Sequence, residues 1–291
     1  MGSRPSLRHF VLCRLDSLMA INQSRHEAKH ALREGSAEKR WSISTGKIHS
    51  HTTRKVYQQH ILAFVNWAEA TYQVKKPAEL DLHADEWVSQ YLRERLAQGK
   101  RPATLHTERS ALRLFFGPHI AASVQLPTRQ WKAITRSRVP VKQDAHFQPE
   151  HWPDHLLFAH ATGLRRSEMR DLRIQDIRTT QDGHLVVFVR RGKGGKSRDV
   201  PVLEEDEQAV RTLIEGRDPN ERLFAHIPKN MDVQSYRRAS AQKRYQQASG
   251  RPLPERTRRL KPSDYDAAAT QQVSEALGHR RRSIILNHYI R

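Results

Sequence analysis

The chain has 291 residues, with 51 Lys and Arg against 31 Asp and Glu, for a formal charge of +20. Such an excess costs self-repulsion in a compact state and points to a polyanionic partner; the cations run along the whole chain, which suits an enclosing surface better than a tether. A single cysteine, Cys13, excludes an internal disulfide and a cysteine-based zinc site and fits a reducing, cytoplasmic setting, while the apolar stretch Phe10-Val11-Leu12 is too short for a signal-peptide core or a membrane span.

The length allows two modest domains. Apolar residues make up only 37%, but they are clustered and periodic, so the chain is not disordered. Residues 1–47 are polar and basic with weak helical periodicity, and read as an N-terminal arm, part helical. From Thr52 the pattern sharpens, and Tyr57, Ile61, Phe64 and Ala68 fall on one helical face. A second helix is predicted over Ala84–Ala97, with Val88, Tyr91 and Leu92 inward and Gly99 stopping it; a third over Ala103–Phe116, with Leu105, Leu112 and Phe115 inward and Gly117-Pro118 ending it. Helices this short must pack together, so residues 48–133 form a small bundle. Its outer faces are expected to carry Arg54, Lys55, Lys75, Lys76, Arg93, Arg95, Lys100, Arg101, Arg109 and Arg113, a shell able to grip phosphates. Trp67, Trp87, Trp131 and Trp152 are expected in cores rather than as base-stacking platforms.

Residues 134–150 lack periodicity, contain Pro140 and read as a linker. A helix is predicted around Trp152–His160. Leu185–Val189, opened by Asp182-Gly183, reads as a strand; the turn Gly192-Lys-Gly-Gly-Lys196 leads into a second strand over Asp199–Val202. Helical patterns resume from Glu204. The expected fold class is mainly α: a helical domain, then a mostly helical domain over 151–291 with one small antiparallel sheet. The histidines are scattered, and His49 and His51 lack a supporting carboxylate, so no metal site is expected.

Four separated pieces of the second half stand out. They are Ala161-Thr-Gly-Leu-Arg165-Arg166-Ser-Glu168; the turn Gly192–Lys196 with Arg198-Asp-Val-Pro-Val behind it; Gln234-Ser-Tyr-Arg237; and Leu277-Gly278-His279 followed by Tyr289. Each is weak alone, but their order and spacing together resemble the tyrosine recombinases, the phage integrase family, over roughly residues 48–291. The resemblance implies a SAM-like core-binding domain over 48–133 and a catalytic domain over 151–291. It implies catalytic roles for Arg165 and Arg237 as phosphate clamps, Lys193 as general acid, His279 as a phosphate ligand, Glu168 as a supporting group and Tyr289 as nucleophile. It also implies duplex DNA as partner, four protomers on two duplexes, a DNA-bending accessory protein, and service to a mobile element in the nucleoid-containing cytoplasm. The chemistry is coherent with those residue types. Guanidinium forks neutralise charge growing on a phosphodiester, an ammonium protonates the leaving 5′ oxygen, and a phenol forms a 3′-phosphotyrosyl bond that conserves the energy of the cut. No ATP, metal or other cofactor is required.

The pattern also departs from the family. Gln234 stands where a histidine is usual; it donates a hydrogen bond but carries no proton at neutral pH, so slower chemistry is expected. Tyr289 lies one residue further from His279 than usual, which on a regular helix turns the phenol away by about 100°. The stretch between His146 and Ala161 is short for the two helices the family places there. Only two residues follow Tyr289, so assembly is expected to use other surfaces, such as the N-terminal arm. Lys196 is the rival of Lys193. A second reading therefore stays open, a decayed or repurposed integrase that binds DNA without cutting it; an RNA-binding reading lacks any aromatic ribonucleoprotein motif.

Overall fold

The computed structural model describes residues 6–34, 43–130, 147–192, 195–255, 260–279 and 281–290. The chain divides into two compact units, residues 1–134 and 135–291. The linker expected over 134–150 falls outside the described residues as far as 146, as do Trp131 and Lys193. Phe147 is already buried in the core of the second unit, so that unit begins earlier than position 151.

The first unit is helical. Helix α1 (Leu7–Ser17) is capped by Ser6, whose Oγ accepts the His9 amide at 3.2 Å. Helix α2 spans Arg25–Arg33 and buries nothing. The bundle proper is α3 (His51–Tyr72), α4 (Pro77–Leu82), α5 (Ala84–Ala97) and α6 (Pro102–Phe116). Its core gathers Ile61, Phe64, Val88, Tyr91, Leu92, Leu112 and Phe115, with Trp87 among the buried and Trp67 among the half-buried residues. The N-terminal arm is part helical, and its first helix belongs to the bundle rather than standing apart from it. Leu7, Val11 and Leu15, at i, i+4 and i+8, are buried in this same core, and α1 packs on α3. Residues 18–20 then run beside Ile48, joined by Ile48 N–H to Leu18 O and Ala20 N–H to Ile48 O, each 2.8 Å.

The expected phosphate-gripping shell is corrected as well. Arg54 donates to Asp16 at 2.9 Å and Arg95 to the buried Glu108 at 2.7 Å. Arg109 holds Val124 O at 3.1 Å, and Arg113 holds Ile120 O at 2.8 Å. All four fasten the unit together: Arg54 and Arg95 pair with carboxylates, while Arg109 and Arg113 satisfy carbonyls that the 117–127 loop would otherwise leave unpaired. Lys55, Lys75, Lys76, Arg93, Lys100 and Arg101 are exposed.

The second unit opens with a 3-10 turn (Pro149–His151), α7 (Pro153–Thr162) and α8 (Arg166–Asp171). Strands β1 (Ile177–Thr179), β2 (Leu185–Val189) and β3 (Arg198–Pro201) form an antiparallel sheet in the order β1-β2-β3, with Val187 opposite both Ile177 and Val200. Leu185, Val187 and Val189 alternate into the core, as period two requires. Helices α9 (Glu207–Ile214), α10 (Val233–Ser249), α11 (Ala267–Ala276) and α12 (Arg282–His288) complete the unit.

Helix α10 packs against both α7 and α11 and lies between two apolar clusters: Val233 and Tyr236 belong to one, Ala241 and Tyr245 to the other. At that seam it buries arginines, with Arg237 only 1% exposed. A buried guanidinium persists only if its donors are satisfied. Main-chain carbonyls take up much of this demand, Gly163 and Leu277 for Arg237, Ala161 and Pro201 for Nη2 of Arg244, whose Nε has no partner among the described residues.

Candidate active site

Arg165 is the last extended residue before α8. Its main-chain N–H and its Nη1 both donate to Glu168 one turn on, at 2.9 and 2.8 Å, and Nη2 reaches Leu277 O at 3.4 Å. Arg237 donates from Nη2 to the same Leu277 carbonyl at 2.6 Å. One carbonyl at the end of α11 thus holds two guanidiniums whose residues are 72 positions apart (237 − 165). The remaining donor of Arg237, Nε, points at the Tyr289 phenol oxygen at 3.2 Å, with its guanidinium carbon 5.5 Å from the ring centre.

Tyr289 is buried at 6% exposure and caps the end of α12. The additional residue between His279 and Tyr289 does not turn the phenol away. Tyr289 N–H still makes a regular helical bond to the carbonyl of Ile285 at 2.9 Å, and the turn widens only past the phenol, where Ile290 N–H reaches the same carbonyl at 3.2 Å. His279 follows Gly278, which ends α11 in the left-handed region (φ +66°). Its N–H donates to Ser274 O at 2.7 Å and its carbonyl accepts Ser274 Oγ at 2.8 Å, which fixes the backbone; its Nε2 lies 3.3 Å from the Tyr289 oxygen. Gln234, exposed on the first turn of α10 and three residues before Arg237, shares that face and hydrogen-bonds the phenol.

The electrostatics follow from these contacts. Burial pushes the Tyr289 phenol up, but the Arg237 charge and hydrogen bond, the Gln234 hydrogen bond and the Arg165 charge outweigh it, and the phenol lies below its ordinary value. Burial also raises Glu168, yet the Arg198 hydrogen bonds and the Arg165 contacts hold its carboxyl down to about 2. Burial pulls Arg237 below its usual range.

Of the residues singled out from sequence, Arg165, Glu168, Gln234, Arg237, His279 and Tyr289 converge. Lys193 lies outside the described residues, but the neighbouring Gly192 is packed against Arg198. Lys196 is exposed at the other end of the turn, where its carbonyl accepts Gly192 N–H at 2.7 Å. Arg166 faces away and clamps the carbonyls of Pro228 and Met231. The sequence reading missed Arg198, whose Nη1 and Nη2 pair with Glu168 at 3.0 and 2.9 Å. A signal was present: Arg198 shares the inward alternation of Val200 and Val202, and a charge on a buried strand face needs a partner.

A helical bundle is followed by a mainly helical unit that gathers guanidinium, imidazole and phenol groups at one place. The family model described as "Phage integrase family" matches residues 143–291, and that for "Phage integrase, N-terminal SAM-like domain" matches residues 42–121. The first alone spans just over half of the chain, and the chain belongs to the phage integrase family, whose general activity is site-specific DNA recombination. Solved structures similar to it include the XerH site-specific recombinase bound to difH substrate in a pre-cleavage complex (17% identity, 98% of this chain and 92% of that chain, TM-score 0.49). Others are the Tn1549 transposon integrase with circular intermediate DNA (16%, 91% and 94%, TM-score 0.47) and XerA recombinase (16%, 97% and 93%, TM-score 0.31). No curated protein sequence matches the chain. Among the described residues no helix is long and apolar enough to cross a membrane.

Proposed function

We infer that this protein cuts and rejoins DNA through a 3′-phosphotyrosyl intermediate on Tyr289. The observation that carries this reading is the phenol oxygen of Tyr289 held 3.2 Å from Arg237 Nε and 3.3 Å from His279 Nε2. The Tyr289 oxygen attacks phosphorus and the bond to the 5′ oxygen breaks. His279 takes the phenolic proton, and Lys193 supplies one to the leaving oxygen. Arg165 and Arg237 balance the charge that builds on the non-bridging oxygens. Gln234 donates a hydrogen bond to the reacting oxygen, and Glu168 holds Arg165 in place. Attack by a free 5′ hydroxyl reverses the step and rejoins the strand, with no cofactor. Duplex DNA, four protomers and a DNA-bending accessory protein complete the expected assembly, located at the nucleoid.

A second reading, a DNA-binding protein that does not cut, has one observation in its favour. Arg237 is almost wholly buried and each of its three nitrogens already donates within the protein, to Tyr289, Gly163 and Leu277, which leaves little of it open to a phosphate.

The experiment that separates them uses a nicked suicide duplex carrying the recombination site. Wild type is expected to leave a denaturation-resistant protein–DNA adduct and Tyr289→Phe none. A wild type that binds this duplex and forms no adduct overturns the cutting reading; an adduct that survives in Tyr289→Phe overturns the choice of nucleophile. Binding is expected to weaken steeply with salt, and a flat response counts against phosphate contacts.

A further inference from the structure

We propose that Arg198 is a positioning residue that locks the catalytic segments of the second unit into one frame, a role that rests on the cutting reading above. The stretch after β2 at Gly192, the start of α8 with Arg165, and the turn after α11 with His279 come from three distant parts of the chain. Arg198 touches all three. Its two Nη atoms grip Glu168 on α8 as a fork, at 3.0 and 2.9 Å, while Nε donates to Ala276 O at the end of α11 at 3.2 Å. A Cβ placed on Gly192 would lie 2.6 Å from Arg198 Nη1, and one on Gly278 2.9 Å from Nε, so the hairpin base and the α11 turn close over the same guanidinium. Both glycines are therefore spacers for this side chain.

The fork also sets how charge is shared. Glu168, 6% exposed, accepts two bonds from Arg198 and two from Arg165, one of them from the main chain. With Arg198 matching the carboxylate, the positive charge of Arg165 stays available for a phosphate. Without it, Glu168 cancels Arg165 alone. The Arg198 side chain is 13% exposed and enclosed by protein, so its effect reaches DNA only through these neighbours. The sequence pattern around it, a basic turn followed by a short strand, carries no sign of this function except the inward register of position 198.

The test measures adduct formation with the full chain at saturating suicide duplex, together with DNA affinity, melting temperature and pH profile. Arg198→Gln is expected to slow adduct formation about 100-fold, as a small misplacement of reacting groups does, and to leave DNA affinity within about twofold. Its rate is expected to gain an acid-side loss that wild type lacks, because Glu168 no longer has the cation that grips both its oxygens. Gly192→Ala presses on the same guanidinium without removing it, its Cβ falling 2.6 Å from Arg198 Nη1 and 2.9 Å from the Lys196 carbonyl, and is expected to act in the same direction. Wild-type rates in both variants overturn the proposal and leave the cutting reading standing. A rate loss that merely follows melting temperature, with the pH profile unchanged, also overturns it and makes the fork a plain structural ion pair. Absence of adduct from wild type itself brings down the cutting reading, and this proposal with it.

Discussion

Each unit of the protein buries a glutamate against arginine, and the two are treated differently. Glu108 in the helical bundle is fully buried, yet only Oε1 is engaged, by Arg95 at 2.7 Å with His60 at 3.6 Å; among the described residues Oε2 has no hydrogen-bond partner. Glu168 in the second unit accepts four hydrogen bonds on its two oxygens. A half-satisfied buried ion pair contributes little net stability, since desolvation offsets attraction, while a saturated one fixes geometry. The bundle tolerates a loose pair because it only has to hold helices together. The second unit has to hold charged groups still.

The comparison can be broken most sharply at Glu168. Glu168→Gln is expected to slow adduct formation about 100-fold, since Arg165 and Arg198 both lose their shared anchor. Its acid behaviour gives a second measure. A carboxyl held at about 2 rather than its usual 4.5 contributes stability that is complete above pH 4.5 and is lost as pH falls towards 2. That difference corresponds to roughly 3 kcal/mol, so acid unfolding of wild type should steepen across this window and flatten in Glu168→Gln, as followed by circular dichroism. Gln234→His comes next. It restores a titratable group beside the phenol and is expected to speed adduct formation by about tenfold near neutrality, a modest share of what general acid–base groups supply; an unchanged or slower rate shows that glutamine is already suited to this site. Glu108→Gln is expected to cost about 1 kcal/mol in urea unfolding and to leave the rate of adduct formation at saturating DNA unchanged. A catalytic defect there contradicts the division of labour between the units. The smallest effect is expected for Arg109→Ala, about 1 kcal/mol or less from one lost bond to Val124 O, with the salt slope of DNA binding unaltered.

Much of the architecture is legible from the periodicity of the chain. The apolar faces of α3, α5 and α6 announce themselves, α5 runs from Ala84 to Ala97 as its stop signals require, and β2 occupies Leu185–Val189. Helix α1 is not legible, because Leu7, Val11 and Leu15 are diluted by Arg8, His9 and Arg14, and only the presence of α3 makes them a core face. The direction of long side chains is equally silent. Nothing in the spelling of α6 says that Arg109 and Arg113 fold back onto carbonyls rather than outward. The separated motifs that hold Arg165, Arg237, His279 and Tyr289 are visible because each residue type is chemically distinctive. Arg198 escaped notice among 51 cations, since only pairing register distinguishes an inward arginine from an outward one.

The arrival of the Tyr289 phenol beside Arg237 and His279, in spite of the longer spacing from that histidine, has a consequence for how such proteins are recognised. A regular helix carrying one more residue would have turned the ring by about 100°, yet both contacts are made. Counting positions from histidine to tyrosine is then a poor way to locate the phenol in other chains; what has to stay constant is where the ring arrives, not how many residues it takes to get there.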